Sequence, residues 1–129
     1  MCRGDTEEAI NGLTDKIIGC AIEVHRNLGP GLLEGIYEKA LCHELQSSGL
    51  RFQCQAIIPI IYKGTRLGDH RLDLLVEDEI IIELKAVEKI ESVFKAQLLS
   101  YLKLTNKKLG LLINFNVPVL KDGVTRIIL

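Results

Sequence analysis

The sequence predicts a single α/β domain, a mixed β-sheet with helices on both faces. Three observations carry this expectation. Apolar residues recur at helical spacing over the first third of the chain and again near residue 100. The middle switches to β-branched runs that alternate or are wholly apolar. The resulting order is α-α-β-β-β-α-β-β, and a sheet covered by helices is its natural packing. A chain of 129 residues is one domain's length and buries roughly two-thirds of its unfolded surface. Without repeats or Pro/Ser-rich linkers, residues 1–12 are expected to form a tail and 13–129 the domain.

The first helix is predicted over residues 14–28, with Ile17, Ile18, Ala21, Val24, His25 and Leu28 on its apolar face. Thr14 is the expected cap, and Gly29-Pro30-Gly31 stops it. The second, over residues 32–48, carries Leu33, Ile36, Tyr37, Ala40, Leu41 and Leu45 and ends at Gly49. Residues 51–62 read as a strand in which Pro59 marks an edge or a bulge. After the turn Lys63-Gly64-Thr65, residues 66–76 and 80–86 read as two strands joined by Glu77-Asp78-Glu79. In residues 80–86 both alternating faces are largely apolar, as in a central strand covered on both sides. A third helix over residues 92–105 points Val93, Phe94, Leu98, Tyr101 and Leu102 inward. Residues 109–115 and 124–129 are the last strands, separated by a loop with Pro118 and Asp122-Gly123.

Composition excludes some functions. No apolar run approaches the roughly 20 residues of a membrane span, and MCRGDTEEAI lacks a signal-peptide core, so a cytoplasmic protein is expected. Cys2, Cys20, Cys42 and Cys54 form no C-x-x-C pair, which argues against zinc or iron–sulfur sites. A reducing compartment argues against disulfides, and Cys20 and Cys42 read as small buried hydrophobes. The net charge of −1 carries no nucleic-acid signature as a whole. Its distribution is uneven: residues 1–84 hold 8 Lys and Arg against 14 Asp and Glu, and residues 85–129 hold 8 against 3. One face could therefore attract phosphates, or two solvated faces simply differ in charge.

Polar residues interrupt the apolar pattern at informative places. Glu83 and Lys85 share a face of the central strand, where a charge is costly unless paired or ligated. A buried Glu83–Lys85 ion pair holding the sheet is one explanation. Asp73 adds another, because it interrupts the strand expected to pair with that of Glu83. A three-residue loop pairs Val76 with Ile80 and hence Asp73 with Glu83; a two-residue loop would set Leu72 against Glu83. Two adjacent carboxylates repel, and Lys85 together with a divalent ion such as Mg²⁺ would offset them. An Asp73 facing solvent is the alternative. His25 lies on an apolar helix face and is either a core histidine or a ligand. Glu34 either favours the start of its helix or reaches the metal or its waters. Gln97 and Tyr101, at i and i+4, bind a substrate phosphate, orient Lys85, or make core hydrogen bonds.

Asp73, nine residues and then Glu83-Leu84-Lys85 resemble the D…(D/E)-x-K signature of the PD-(D/E)XK nuclease superfamily. Gln97-Leu98-Leu99-Ser100-Tyr101 resembles the QxxxY motif of its RecB-like exonuclease branch, and Gly31 to Tyr37 resembles the motif of the GxxExxY family. Together the motifs span residues 25–128. The resemblance implies a restriction-endonuclease-like fold with an α-β-β-β-α-β core, and metal-dependent hydrolysis of DNA phosphodiesters. It implies Asp73 and Glu83 as ligands of Mg²⁺ or Mn²⁺, with His25 similar to an upstream histidine ligand. It implies that Lys85 positions or activates the attacking water, that Gln97 and Tyr101 support the site, and that Glu34 is the acidic residue of the preceding helix. Leu72 departs from the pattern, standing where a proline often precedes the metal-binding aspartate; that position is variable. The expectation is an Mg²⁺- or Mn²⁺-dependent deoxyribonuclease, as a homo-oligomer if it grips a duplex. The competing expectation is a nuclease-fold nucleic-acid-binding or scaffolding module without turnover.

Overall fold

Residues 80–82 are three isoleucines with no exposed surface, and this burial on both faces places their strand at the centre of the sheet. The computed structural model describes residues 7–129. Its elements are α1 (Glu7–Leu28), α2 (Glu34–Ser47), β1 (Phe52–Tyr62), β2 (Thr65–Val76), β3 (Ile80–Lys85), α3 (Ser92–Thr105), β4 (Leu109–Asn114), a 3-10 turn (Leu120–Gly123) and β5 (Val124–Ile128). The five strands lie in the order β1-β2-β3-β4-β5. Only β3 and β4 are parallel, with α3 as their crossover.

Two apolar clusters flank the sheet. Ile80, Ile82 and Leu84 pack with Ile17 and Val24 of α1 and Leu41 and Leu45 of α2. On the other face Ile81 and Leu112 pack with Leu98 and Leu102 of α3. This is the mixed α/β, restriction-endonuclease-like arrangement expected. No helix among the described residues is long and apolar enough to cross a membrane.

Several details depart from expectation. Helix α1 begins at Glu7, where Glu7 and Glu8 place negative charge at its positive end. Residues 7–12, expected in a tail, are therefore helical; residues 1–6 lie outside the described residues. Thr14 does not cap the helix: it is buried mid-helix, and its hydroxyl donates to the Ile10 carbonyl at 2.8 Å. Leu28, Leu33, Ile36 and Val93 are exposed. Each lies at the margin of a helix's apolar arc or beside a helix terminus, where spacing alone assigns a face poorly.

Loop geometry sets the strand register. Lys63 and Gly64 have φ of 48° and 80°, giving the tight two-residue connection that twisted hairpins favour. Strand β1 is an edge strand and shifts register between Ile60 and Ile61, which accommodates Pro59. Between β2 and β3, Glu77 and Asp78 take φ of 52° and 55°, and Val76 pairs with Ile80. The buried Glu77 anchors this turn, because its Oε2 accepts the Arg51 backbone N–H at 2.6 Å and Oε1 accepts from the guanidinium at 3.2 Å.

At Gly123 a Cβ would stand 2.1 Å from the Asn114 carbonyl oxygen, an atom held in place by the backbone. Gly123→Ala should therefore cost about 2–3 kcal/mol, the scale of a forced overpacking. Gly12→Ala, in an open stretch of α1, should instead stabilise by up to about 1 kcal/mol. Urea denaturation of both variants tests the contrast, and equal midpoints would show that β5 docks with slack.

Candidate active site

The β2–β3 ladder runs through Val76–Ile80 and Leu75–Ile81 to Leu74–Ile82, and there its regular pairing ends. The next residues are Asp73 and Glu83, whose side chains fill the place of ladder bonds. The Asp73 backbone N–H donates to Glu83 Oε2 at 2.8 Å, and the Leu84 N–H donates to Asp73 Oδ2 at 2.8 Å. Each carboxylate thus commits one oxygen to the opposite strand and keeps the other outside these bonds.

The hairpin changes face at this point. Leu74 packs in the cluster under α1 and α2, yet Leu72, two residues away, packs in the cluster under α3. On β1, Phe52 and Ala56 divide between the same two clusters. Gln55 lies at the switch with φ 54°, a left-handed conformation uncommon for a side chain larger than glycine. Asp73 stands where the two-residue alternation breaks.

Burial pushes the Glu83 carboxyl up to about 8, and the neighbouring Asp73 charge pushes the same way. The Asp73 N–H and Lys85 pull against this rise without cancelling it. Lys85 makes no contact ion pair with Glu83; its Nζ sits over the Phe94 ring of α3, 4.4 Å from the centroid. Glu34, the first residue of α2, is raised by burial and by the Asp73 charge and lowered by Lys85. Tyr101 is raised by burial and by the charges of Glu83 and Asp73. Asp73, Glu83, Lys85, Glu34 and Tyr101 therefore share one electrostatic neighbourhood, at the carboxyl-terminal end of β3, where open α/β sheets bind ligands.

The Gly31–Tyr37 motif has a local physical basis. Gly29 and Gly31 have φ of 68° and 100°, which turn the chain between α1 and α2. The Tyr37 hydroxyl donates to the Gly29 carbonyl at 2.5 Å and accepts the Leu32 N–H at 3.1 Å. Its ring stacks on Phe115 beyond β4, with centroids 4.5 Å apart. This brace fixes where α2 begins, and so where Glu34 stands.

The remaining candidates are placed differently. His25 is buried in the last turn of α1, and its Nε2 bonds the Val117 carbonyl at 2.8 Å. Since a carbonyl only accepts, Nε2 carries the proton and Nδ1 is the nitrogen left for any ligation. Gln97 is exposed on α3. Tyr101 stacks on His70 of β2 at 4.1 Å, and His70 Nε2 is buried with no hydrogen-bond partner among the described residues.

Reading the sequence missed four participants. Glu38 is raised by burial and by Asp73, and its Oε1 accepts from the Gln55 amide at 3.0 Å. Its spacing from Glu34, one helical turn, was the available signal. Gln55 and His70 had none, since a positive φ and a cross-element ring stack leave no periodic trace. Asn114, buried at the end of β4, accepts the Val87 N–H at 3.1 Å and donates to the Val87 carbonyl at 2.9 Å. It thereby fixes the chain just after Lys85; a polar residue closing an apolar strand was its signal.

Among the described residues no three His, Cys, Asp or Glu side chains form a ready metal cage. Two carboxylates, each with an oxygen outside the cross-strand bonds, still suit a hard divalent ion that keeps several of its waters. The family model described as PD-(D/E)XK nuclease superfamily matches residues 11–127. No curated protein matches the chain.

Proposed function

Because the chain belongs to the PD-(D/E)XK nuclease superfamily, whose nucleases generally use divalent metal ions, we propose that it is an Mg²⁺- or Mn²⁺-dependent nuclease hydrolysing DNA phosphodiester bonds. We place it in the GxxExxY group and near the RecB-like branch, on its Gly31–Tyr37 and Gln97–Tyr101 motifs. The observation that carries this reading is the placement of Asp73 and Glu83 side by side where the β2–β3 ladder ends, with Lys85 one alternation further along β3.

Asp73 and Glu83 would hold the ion; His25, whose Nε2 is engaged by the Val117 carbonyl, forms no three-donor cage with them among the described residues. When bound, the ion polarises the scissile phosphate and lowers the pKa of a water. Lys85 contributes a fixed positive charge beside the phosphate and the attacking water. Glu34, raised by burial and by the Asp73 charge, would accept a hydrogen bond or a proton from the attacking water. Tyr101, stacked on His70, and Gln97, exposed on α3, would contact the substrate backbone. Exposed Lys89, Lys95, Lys103 and Lys108 on and beside α3 supply the phosphate attraction that the net charge conceals. A second copy would extend the grip, because specific protein–DNA interfaces bury on the order of 1,000–2,500 Å² of protein surface.

A binding module without turnover is the second reading, favoured by the missing three-ligand cage. Labelled linear and circular DNA, with an RNA of matched sequence, incubated with Mg²⁺, Mn²⁺ or EDTA, separates the two. Cleavage of DNA with metal and none with EDTA is expected. DNA bound but intact under every metal condition would establish the binding module.

A further inference from the structure

Outside the candidate site, the sulfurs of Cys42 on α2 and Cys54 on β1 lie 2.9 Å apart. Both are free thiols. The S–S bond of a disulfide is about 2.05 Å, so the two sulfurs need close by less than about 1 Å. The side chains already converge from two elements, α2 and β1, that the short turn 48–51 folds against each other, whereas Cys20 is occupied elsewhere, its sulfur 3.3 Å from the Ser48 hydroxyl. From this geometry we infer that Cys42 and Cys54 are a reversible disulfide site, oxidised by exchange with a low-molecular-weight disulfide such as oxidised glutathione.

The two thiols divide the reaction between them. Cys54 is exposed, so its thiolate meets the incoming disulfide first. It attacks one glutathione sulfur, forms a mixed disulfide and releases the other glutathione as a thiolate, which takes up a proton. Cys42 is half-buried, and burial together with the Cys54 thiol pushes it up to about 12, so it resists direct oxidation. Capping Cys54 removes that thiol's share of the effect. Cys42 then loses its proton to solvent and attacks the Cys54 sulfur, which releases the second glutathione. The balance is two protein thiols and one glutathione disulfide giving one protein disulfide and two glutathione thiols.

The bond would staple α2 to the edge strand of the sheet. Glu38 lies one turn before Cys42 and Gln55 immediately follows Cys54, and these two residues are already hydrogen-bonded. The linkage therefore adds a covalent tie to an existing contact, so it should form without displacing the backbone.

The test uses the full chain equilibrated across mixtures of reduced and oxidised glutathione, then quenched and digested with trypsin without reduction. Peptide 40–51 joined to peptide 52–63 is expected, with the intact protein lighter by two hydrogens. Oxidation should raise the melting temperature by about 5–10 °C, as closing a short loop of the unfolded chain does. Cys42→Ser and Cys54→Ser should each abolish both the link and the rise. Glutathione retained on Cys54, a link through Cys2 or Cys20, or a Cys42–Cys54 link that lowers the melting temperature would each overturn the proposal. None of these readouts depends on nuclease activity.

Discussion

Lys85→Met should leave a folded protein that still binds Mn²⁺ and cleaves DNA about 10²–10³ times more slowly than wild type. The Lys85 ammonium is not part of the scaffold, since its contact is the Phe94 ring face at 4.4 Å rather than a buried ion pair. Methionine keeps the aliphatic stem and places a polarisable sulfur on that ring, so stability should change by less than about 1 kcal/mol. The rate loss corresponds to roughly 2.7–4 kcal/mol of transition-state stabilisation. Single-turnover cleavage and DNA binding, measured on the same preparation, separate the effects. A variant that cleaves at the wild-type rate would remove Lys85 from the chemistry, and one that unfolds would make it a structural cation.

Glu83→Gln should abolish Mn²⁺-dependent stabilisation and flatten the pH dependence of the apo protein. Wild-type Glu83 is raised from 4.5 to about 8 on folding. Between those values the folded state holds a proton that the unfolded state has released, so stability falls as pH rises through the window. The slope is at most about 1.4 kcal/mol per pH unit. The substituted amide is neutral throughout and its carbonyl oxygen can still accept the Asp73 N–H, so the variant should match wild type near pH 5 and exceed it near pH 8. Metal acts in the opposite sense: it competes with the proton, so its affinity should rise from pH 6 to 8 with proton release. At a metal concentration about 100-fold above Kd, wild type should gain roughly 2.7 kcal/mol and the variant nothing. Thermal melts with and without millimolar Mn²⁺ at both pH values provide the measurement. An equal Mn²⁺ shift in both proteins would place the metal elsewhere.

Much of this arrangement could be read from residue order. The turn Glu77-Asp78-Glu79 has three residues, and that parity alone sets Val76 against Ile80 and brings Asp73 level with Glu83. Helix α3 was legible over its whole length, Ser92–Thr105, because its apolar residues and its flanks agree. The first turns of α1 were not: they have few apolar residues, and the charge–dipole preference of Glu7 and Glu8 is a weak signal beside the Thr14 that resembles a cap. Strand periodicity assumes unbroken alternation, and the hairpin breaks it at Gln55 and Asp73, the residues closest to the candidate chemistry. The stack of His70 on Tyr101 and the approach of Cys42 to Cys54 each join a helix to a strand, a neighbourhood that exists only once those elements have packed.

Strands β1 and β2 continue well past the point where β3 leaves them. From Pro59 to Asp69 the hairpin has no further strand on either side among the described residues, and Ile61, Tyr62 and Leu67 are exposed. Its amides are protected only by each other, so this arm opens at a fraction of the free energy needed to unfold the core. Hydrogen exchange should divide β2 in two, fast through Gly68 and slow from Leu74. Below the arm, Ile58 and Leu72 pack against Leu98 and Leu102 of α3 and His70 stacks on Tyr101, so the arm can fray or clasp a passing surface while the strands at its base stay paired. Pro59 and the register shift beside it also spoil the arm's outer edge as a template for a foreign strand, protecting an exposed appendage from the aggregation that bare edges invite.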